Sequence, residues 1–460
     1  MAKRTPAARK TLSQVNLAAL GADRLADLLI QATVGDANLK RRLKLELAAE
    51  VGAPDLALEI DKRLAALTAS KTRVSWRKRP ELIADLQVHR RMIVDRLAAA
   101  DARLALDRLV AWFDLYPGLG GRVKDPKGEL SGVFFDAADD LAVVASAVDV
   151  GEAAGVLAEA VETRLSEWGG WIGRAAPGLS VPLAEVLLDR LTTGRARPTG
   201  RRALVVRKLA DRAGDVAAWV ASIPDEDRAR PDIGAEIARR LALAGQAAQA
   251  RVALDASRPR APAAARWTTR SKPAPAPEPS DAWEAAEIAV LDAEGRTDEA
   301  QTARWIAFER TLAEAPLRAF LAKLADFDDV EALDRAFAHA ARWHEATRGL
   351  AFLMAWPALR EAAEMILARQ AELRVASEDT ALWSGRLQTR YPAAALALIR
   401  SRALLLARQG LGRSDEVHAL SVEAASLAET PGVLDTLPAH AAFIDDLEAA
   451  APGGSRRGWR

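Results

Sequence analysis

Apolar residues recur along this chain at helical rather than alternating spacing. Leu82, Leu86, Ile93 and Leu97 follow at steps of four, seven and four, which lays them on one stripe of a helix. Pro80 suits the first turn of that helix, because its missing N–H would have no partner there. Val330, Leu333, Phe337, Ala341 and His344 trace a second stripe. Ala, Leu and Arg dominate, Tyr occurs only twice, and Gly132-Val-Phe-Phe is too short a β-like run to argue a strand. The pattern predicts an all-helical protein.

Helix ends are punctuated regularly. Thr11 and Gln14 have capping-box spacing, Ala53-Pro54-Asp55 suits a helix start, and Gly21, Gly52, Gly214, Gly245, Gly295 and Gly410 fall where periodic segments pause. Helices of roughly 10–20 residues follow, as packed pairs require. Leu243-Ala244-Gly245 is followed by Ala250 and Leu254, and Ala293-Glu294-Gly295 by Ala300, with Trp283 twelve positions before its Gly. Each reads as helix, Gly turn, then a helix whose small residue lets the pair approach. This resembles the tetratricopeptide-type hairpin, one residue off register and without the terminal Pro, and no strict period of about 34 propagates. The expected architecture is an irregular α-solenoid of antiparallel, tetratricopeptide-like helix hairpins, each burying its apolar face on the next.

One break stands out. Residues 258–281 hold six prolines, including Lys272-Pro-Ala-Pro-Ala-Pro-Glu-Pro279, a density that stops helices and favours extended chain. We expect a basic flexible tail at 1–10, an N-terminal helical-repeat domain at 11–257, a Pro/Ala-rich linker at 258–281, a C-terminal helical-repeat domain at 282–450 and a flexible tail at 451–460.

Composition narrows the chemistry. The 460 residues contain no Cys and five His, which removes thiol nucleophiles, disulfides and Cys-ligated metals. Half of the residues are apolar, ample for a packed core. No run approaches 18 uncharged apolar residues and no export-type apolar segment opens the chain, so a cytoplasmic protein away from membranes is expected. Lys and Arg number 64 against 63 acids, yet residues 1–96 carry a net +8 and the remainder −7. Lys40-Arg41-Arg42 with Lys44, and 71–79 with five cations and no acid, are the densest points.

Most chemistry-bearing patterns fail on spacing. His339 and His344 are five apart and point to different sides of a helix, whereas paired metal ligands need three or four. His344 and His89 share apolar stripes and read as structural, hydrogen-bonded imidazoles. Asp326-Phe-Asp328-Asp329-Val330-Glu331 lacks the ligand and Gly positions of a calcium loop, so Asp328 or Asp329 is expected to cap the next helix. Asp136, Asp139 and Asp140 read as helix-surface acids. No catalytic, cofactor-binding or metal-ligating set emerges.

Two segments remain as candidates. Tyr116-Pro-Gly-Leu-Gly-Gly-Arg-Val-Lys-Asp-Pro-Lys-Gly128 combines four Gly with Arg122, Lys124 and Lys127, the ingredients of an anion-cradling loop, though without P-loop spacing. Trp76 sits among Arg73, Arg77, Lys78 and Arg79, a mix that stacks bases and neutralises phosphates. Trp occurs twelve times in all, and the others read as packing residues between helices.

Thr11-Leu-Ser-Gln-Val-Asn-Leu-Ala-Ala-Leu-Gly-Ala-Asp-Arg-Leu-Ala-Asp-Leu-Leu, Val74-Ser-Trp-Arg-Lys-Arg79 and Trp283-Glu-Ala-Ala-Glu-Ile-Ala-Val-Leu with Gly295 and Ala300 resemble an uncharacterised family of bacterial, mainly proteobacterial, helical proteins, over about residues 11 to 450. From Tyr391-Pro392-Ala-Ala-Ala-Leu-Ala-Leu-Ile-Arg400 onward the chain is similar to the helical-repeat region beside SWIM zinc modules, without the zinc module itself. The resemblance implies helices, a more acidic loop than the one at 116–128, and no transferable activity. The expected function is a non-catalytic scaffold that binds a protein partner on the concave face of stacked helices. The alternative is a nucleic-acid-associated protein using the basic N-terminal region.

Overall fold

The computed structural model describes residues 11–259, 278–325, 327–411 and 414–450, and they fold almost wholly as helix. Among them extended pairing is limited to one parallel bridge, Val74 with Val123. The expected tails and residues 260–277 of the Pro-rich segment lie outside the described residues. No helix among the described residues is long and apolar enough to cross a membrane. The chain divides into two compact units, Met1–Arg230 and Pro231–Arg460.

The first unit runs α1 (Gln14–Ala18), α2 (Ala22–Ala32), α3 (Ala37–Val51), α4 (Ala53–Ala69), α5 (Arg79–Arg91, continued by a π-helical stretch at Met92–Leu97), α6 (Ala102–Phe113), α7 (Tyr116–Gly120), α8 (Glu129–Ser146), α9 (Val150–Thr163), α10 (Leu165–Ala175), α11 (Val181–Thr192), α12 (Gly200–Ala213), α13 (Val216–Ala221) and α14 (Asp225–Arg228). Local sequence sets the ends. Pro54 and Pro80 occupy the first turns of α4 and α5, and Asp36, Asp101, Asp149 and Asp215 accept backbone N–H bonds as caps. The expected Thr11 cap moves: Ser13 accepts from the Asn16 amide at 3.3 Å instead.

An aromatic cluster locks α5, α6, α8 and α10 together. Trp112, Phe113, Phe134 and Trp168 are fully buried, and the Trp112 and Phe134 rings lie 4.3 Å apart. Two of the indoles find acceptors, Trp112 Nε1 donating to the Leu86 carbonyl at 3.2 Å and Trp168 Nε1 to Asp114 Oδ1 at 2.8 Å. Burial pushes the Asp114 carboxyl upward, while the Trp168 bond and Arg164 oppose that shift.

The second unit runs α15 (Pro231–Leu243), α16 (Ala247–Ala256), α17 (Asp281–Ala293), α18 (Thr297–Thr311), α19 (Glu314–Leu321), α20 (Asp328–Ala341), α21 (Ala346–Ala355), α22 (Leu359–Arg369), α23 (Ser377–Leu387), α24 (Pro392–Leu406), α25 (Asp415–Ala428) and α26 (His440–Ala450). Gly245 and Gly295 turn the chain at positive φ, and Ala250, Leu254, Trp283 and Ala300 are buried where α15 to α18 pack. Helix α24 is buried on every side from Ala394 to Arg400 and is flanked by α22, α23, α25 and α26.

Two local expectations change at α20. Its N-cap is Phe327 at φ 76°, and Asp328 and Asp329 sit inside the first turn, where their charge is favourable at the positive end of the helix dipole without capping it. The helix ends at Ala341, so His344 leaves the apolar stripe and is 73% exposed, 3.8 Å from Glu345.

Candidate functional site

The two candidate segments, 71–79 and 116–128, form one structure in the first unit. The Val74 amide donates to the Arg122 carbonyl at 3.1 Å, which lays the basic stretch between α4 and α5 along the chain leaving α7. Arg79 fastens the arrangement. Its Nη1 donates to the Lys124 carbonyl at 2.8 Å, and its Nε holds Glu129 Oε2 at 2.8 Å. Arg122 reaches the Leu67 carbonyl at the end of α4 at 2.5 Å. Arg79 and Arg122 therefore brace the site through bonds already made.

The segment 116–128 is less open than its Gly content implies. Tyr116 packs edge-on against Phe134 and Trp171, and Leu119 and Val123 are buried. Asp125 Oδ2 accepts from the Leu130 and Ser131 amides at 3.0 and 3.1 Å. The first donors of α8, which a phosphate cradle would need, are thus held by the protein's own carboxylate.

What stays available is a set of cations on the two joined segments, together with an exposed aromatic. Arg73, Arg77, Lys78, Lys124 and Lys127 are exposed and have no carboxylate partner among the described residues. Trp76 is 70% exposed, with the Arg77 guanidinium 5.2 Å from its ring centroid. By contrast Arg90, Arg96, Arg103 and Arg108 of the same unit each hold a carboxylate.

A cleft of about 380 Å³ opens beside these residues, lined among others by Arg41, Arg63, Arg73, Lys78, Arg122 and Asp85. Asp85 is buried and clamped by Arg41 Nε at 2.8 Å and Arg63 Nη2 at 2.6 Å. His89 lies behind it, its Nδ1 donating to the Asp85 carbonyl at 2.8 Å, and burial holds its imidazole below the usual range against the pull of Asp85. Sequence reading placed His89 correctly as a bonded core residue but missed Arg41, Arg63 and Asp85 as a group. The signal was present: Asp85 sits beside Leu86 and His89 on the buried face of α5, where a carboxylate needs cations from a neighbouring helix.

The remaining titratable candidates are structural. Arg90 binds Asp140 at 2.5 Å, and His339 Nε2 donates to the Glu309 carbonyl at 2.9 Å. Among the described residues no three His, Asp or Glu side chains assemble as a metal-binding group.

A family model described as a family of unknown function, DUF6880, matches residues 7–194 and 188–451. The chain belongs to that family. No curated protein and no solved structure matches it. The first match takes in every residue of the basic face and its cleft, and the two together reach into both units.

Proposed function

We propose that this DUF6880 protein is a non-catalytic binding protein whose first unit takes the backbone of a single-stranded nucleic acid on the face built from 71–79 and 116–128. One observation carries the reading: five exposed cations without a carboxylate partner among the described residues sit on two segments joined by the Val74 and Arg79 hydrogen bonds, and one of them, Arg77, lies over the exposed ring of Trp76. Phosphates gain by releasing condensed counterions to such cations, and any base can stack on an open indole. The cleft alongside supports binding rather than acid–base work, because its buried carboxylate, Asp85, is held by two arginines. The test is fluorescence anisotropy with labelled dT and U 20-mers at two salt concentrations. Binding that weakens steeply with salt and is lost in Trp76→Ala supports the reading; no binding at low salt overturns it.

A second reading, a protein-binding scaffold, is favoured by α2. Leu25, Leu28, Leu29 and Ala32 form an apolar stripe opposite Asp23, Asp27 and Gln31, yet α2 has no buried residue. An amphipathic helix without a covered face is a docking element. This reading takes the helices as antiparallel, tetratricopeptide-like hairpins stacked in series, supported by the Gly245 and Gly295 turns with Ala250, Trp283 and Ala300 buried. It also takes the chain as bacterial and cytoplasmic, with its part from Tyr391 akin to the repeats beside SWIM modules; the sequence resemblance is the support. A photo-crosslinker at residue 29 should yield one discrete adduct in cells, abolished by Leu25→Glu, and a smear or no adduct would remove it.

A further inference from the structure

A different cavity, wholly within the second unit, presents an unpaired buried charge. Arg400 projects from α24, the helix enclosed on all sides, and is only 5% exposed. Its Nη1 donates to the Pro438 carbonyl at 2.7 Å, while Nε and Nη2 are shielded from solvent and have no partner among the described residues. The Phe443 ring lies 5.1 Å from the guanidinium carbon, which offsets part of the charge. Desolvation alone drives the Arg400 pKa downward, with no carboxylate near enough to counter it. The same charge reaches His440, whose imidazole is lowered by burial first and by Arg400 second. A guanidinium does not give up its proton in a protein, so this burial is costly until an anion arrives.

The free edge has a definite preference. Nε–H and Nη2–H point the same way and match the two oxygens of a carboxylate. Elsewhere in this unit Arg251 uses that edge on Glu294, Nε to Oε1 at 2.8 Å and Nη2 to Oε2 at 2.7 Å, and Arg239 grips Glu236 likewise. At Arg400 the edge is empty, and the residue lines a cavity of about 250 Å³. Arg374 and Arg408 stand on its rim, Arg374 already bonded to the Ala371 and Leu373 carbonyls at 2.8 Å. Asp446 also lines the cavity but forms an ion pair with none of the three arginines. The other walls include Leu404, Leu437 and Phe443.

We propose that this cavity binds a small organic acid with a short apolar tail, its carboxylate on the Nε–Nη2 edge of Arg400 and its tail against Leu404, Leu437 and Phe443. The volume admits a chain of a few carbons, and although the fork grips carboxylate and phosphate alike, the apolar walls favour a carboxylate that carries such a chain over inorganic phosphate. Entry to the edge needs a side-chain rotation at the cavity wall. The site stands apart from the reading of the first unit and does not depend on it.

The test uses the full chain with hexanoate as probe, inorganic phosphate as comparison and chloride at matched ionic strength as control. Calorimetry should show saturable hexanoate binding, and the Arg400 Nε–H resonance should move downfield in the same titration. Arg400→Lys keeps the charge but loses the fork and should bind at least about tenfold more weakly. Leu404→Trp, which fills the cavity without touching the charge, should also abolish binding. Phosphate bound in an Arg400-dependent manner without hexanoate overturns the carboxylate assignment. Absence of hexanoate binding, or binding unchanged in both variants, overturns the site.

Discussion

Arg79 and Lys124 are 45 residues apart in the chain, yet the Arg79 guanidinium donates to the Lys124 carbonyl at 2.8 Å and grips Glu129 with its other edge. The contact makes two candidate segments one face, and it separates positioning residues from contacting ones. Arg79→Ala should destabilise the unit by about 1–2 kcal/mol, the worth of a partly buried charge-assisted pair, read from the denaturant midpoint. Nucleic-acid affinity should fall with the salt slope unchanged, because Arg79 is already committed. Lys78→Ala should leave stability alone and lower the slope by about one unit. Equal slopes for the two variants would contradict the division.

The clamp on Asp85 predicts a second asymmetry. Asp85→Ala strands two guanidinium groups, but Arg41 and Arg63 are 29% and 25% exposed and recover some hydration. The expected loss is about 2–3 kcal/mol, below the about 3–5 seen when a fully buried pair is broken. Arg63→Met strands the more deeply buried partner with one cation left and should cost at least as much. Urea unfolding of both variants makes the comparison.

His89 gives the fold a pH dependence whose sign follows from its burial. The folded imidazole titrates below its ordinary value of 6.5 because burial disfavours the charged form, with Arg41 and Arg63 adding to that and Asp85 opposing. Below about pH 6.5 the unfolded chain takes up a proton that the folded chain refuses. The His89 contribution is therefore complete above that pH and is lost as pH falls toward the depressed folded value. Stability measured from pH 7.5 down to 5.5 should decline, and His89→Gln should decline less steeply.

The helices were legible because their apolar residues keep a period: Leu82, Leu86, Ile93 and Leu97 all turned out buried or nearly so. The small residues Ala250 and Ala300 were legible for the same reason, since helices that touch need small side chains at the contact. The basic face was legible only in pieces. The bond joining them, Arg79 to the Lys124 carbonyl, uses a backbone group that every residue carries, so no local pattern marks it. Arg400 was hidden differently. In an amphipathic helix a lone Arg belongs to the wet side, but Ala394 to Ile399 is apolar at every position, and that loss of period signals a helix with no wet side. The caps at Ser13 and Phe327 escaped because neighbouring Thr11, Asp328 and Asp329 are equally able acceptors, and the approach of the chain decides among them.

Helix α2 tests the opposite of burial. Leu28 and Leu29 are 36% and 44% exposed, so Leu29→Glu removes little packing and should change stability by no more than about 0.5 kcal/mol. A larger loss on thermal melting would mean that the helix is covered within the same molecule.

Two glycines in the second unit should respond to alanine with opposite signs. A Cβ on Gly349 of α21 would collide with the Ala340 carbonyl oxygen of α20 and press on Met365 Cε of α22 at 3.2 Å. The carbonyl belongs to the end of a helix and cannot rotate away, so the helices must separate, opening space beside the fully buried Leu350 and Leu353. Gly349→Ala should cost about 2–3 kcal/mol, at the upper end of overpacking changes, because the obstacle is backbone rather than a flexible side chain. Gly385 lies in the interior of α23 with nothing within 4 Å of where its Cβ would stand, and it is exposed. There alanine removes only the entropic cost of holding glycine in a helix and should stabilise by about 0.5–1 kcal/mol. Chemical denaturation of the two single variants and the double variant decides the matter, with additivity within about 0.5 kcal/mol expected if the sites share no partner. A neutral Gly349→Ala would show that α20 and α21 do not touch as closely as their carbonyl contact requires.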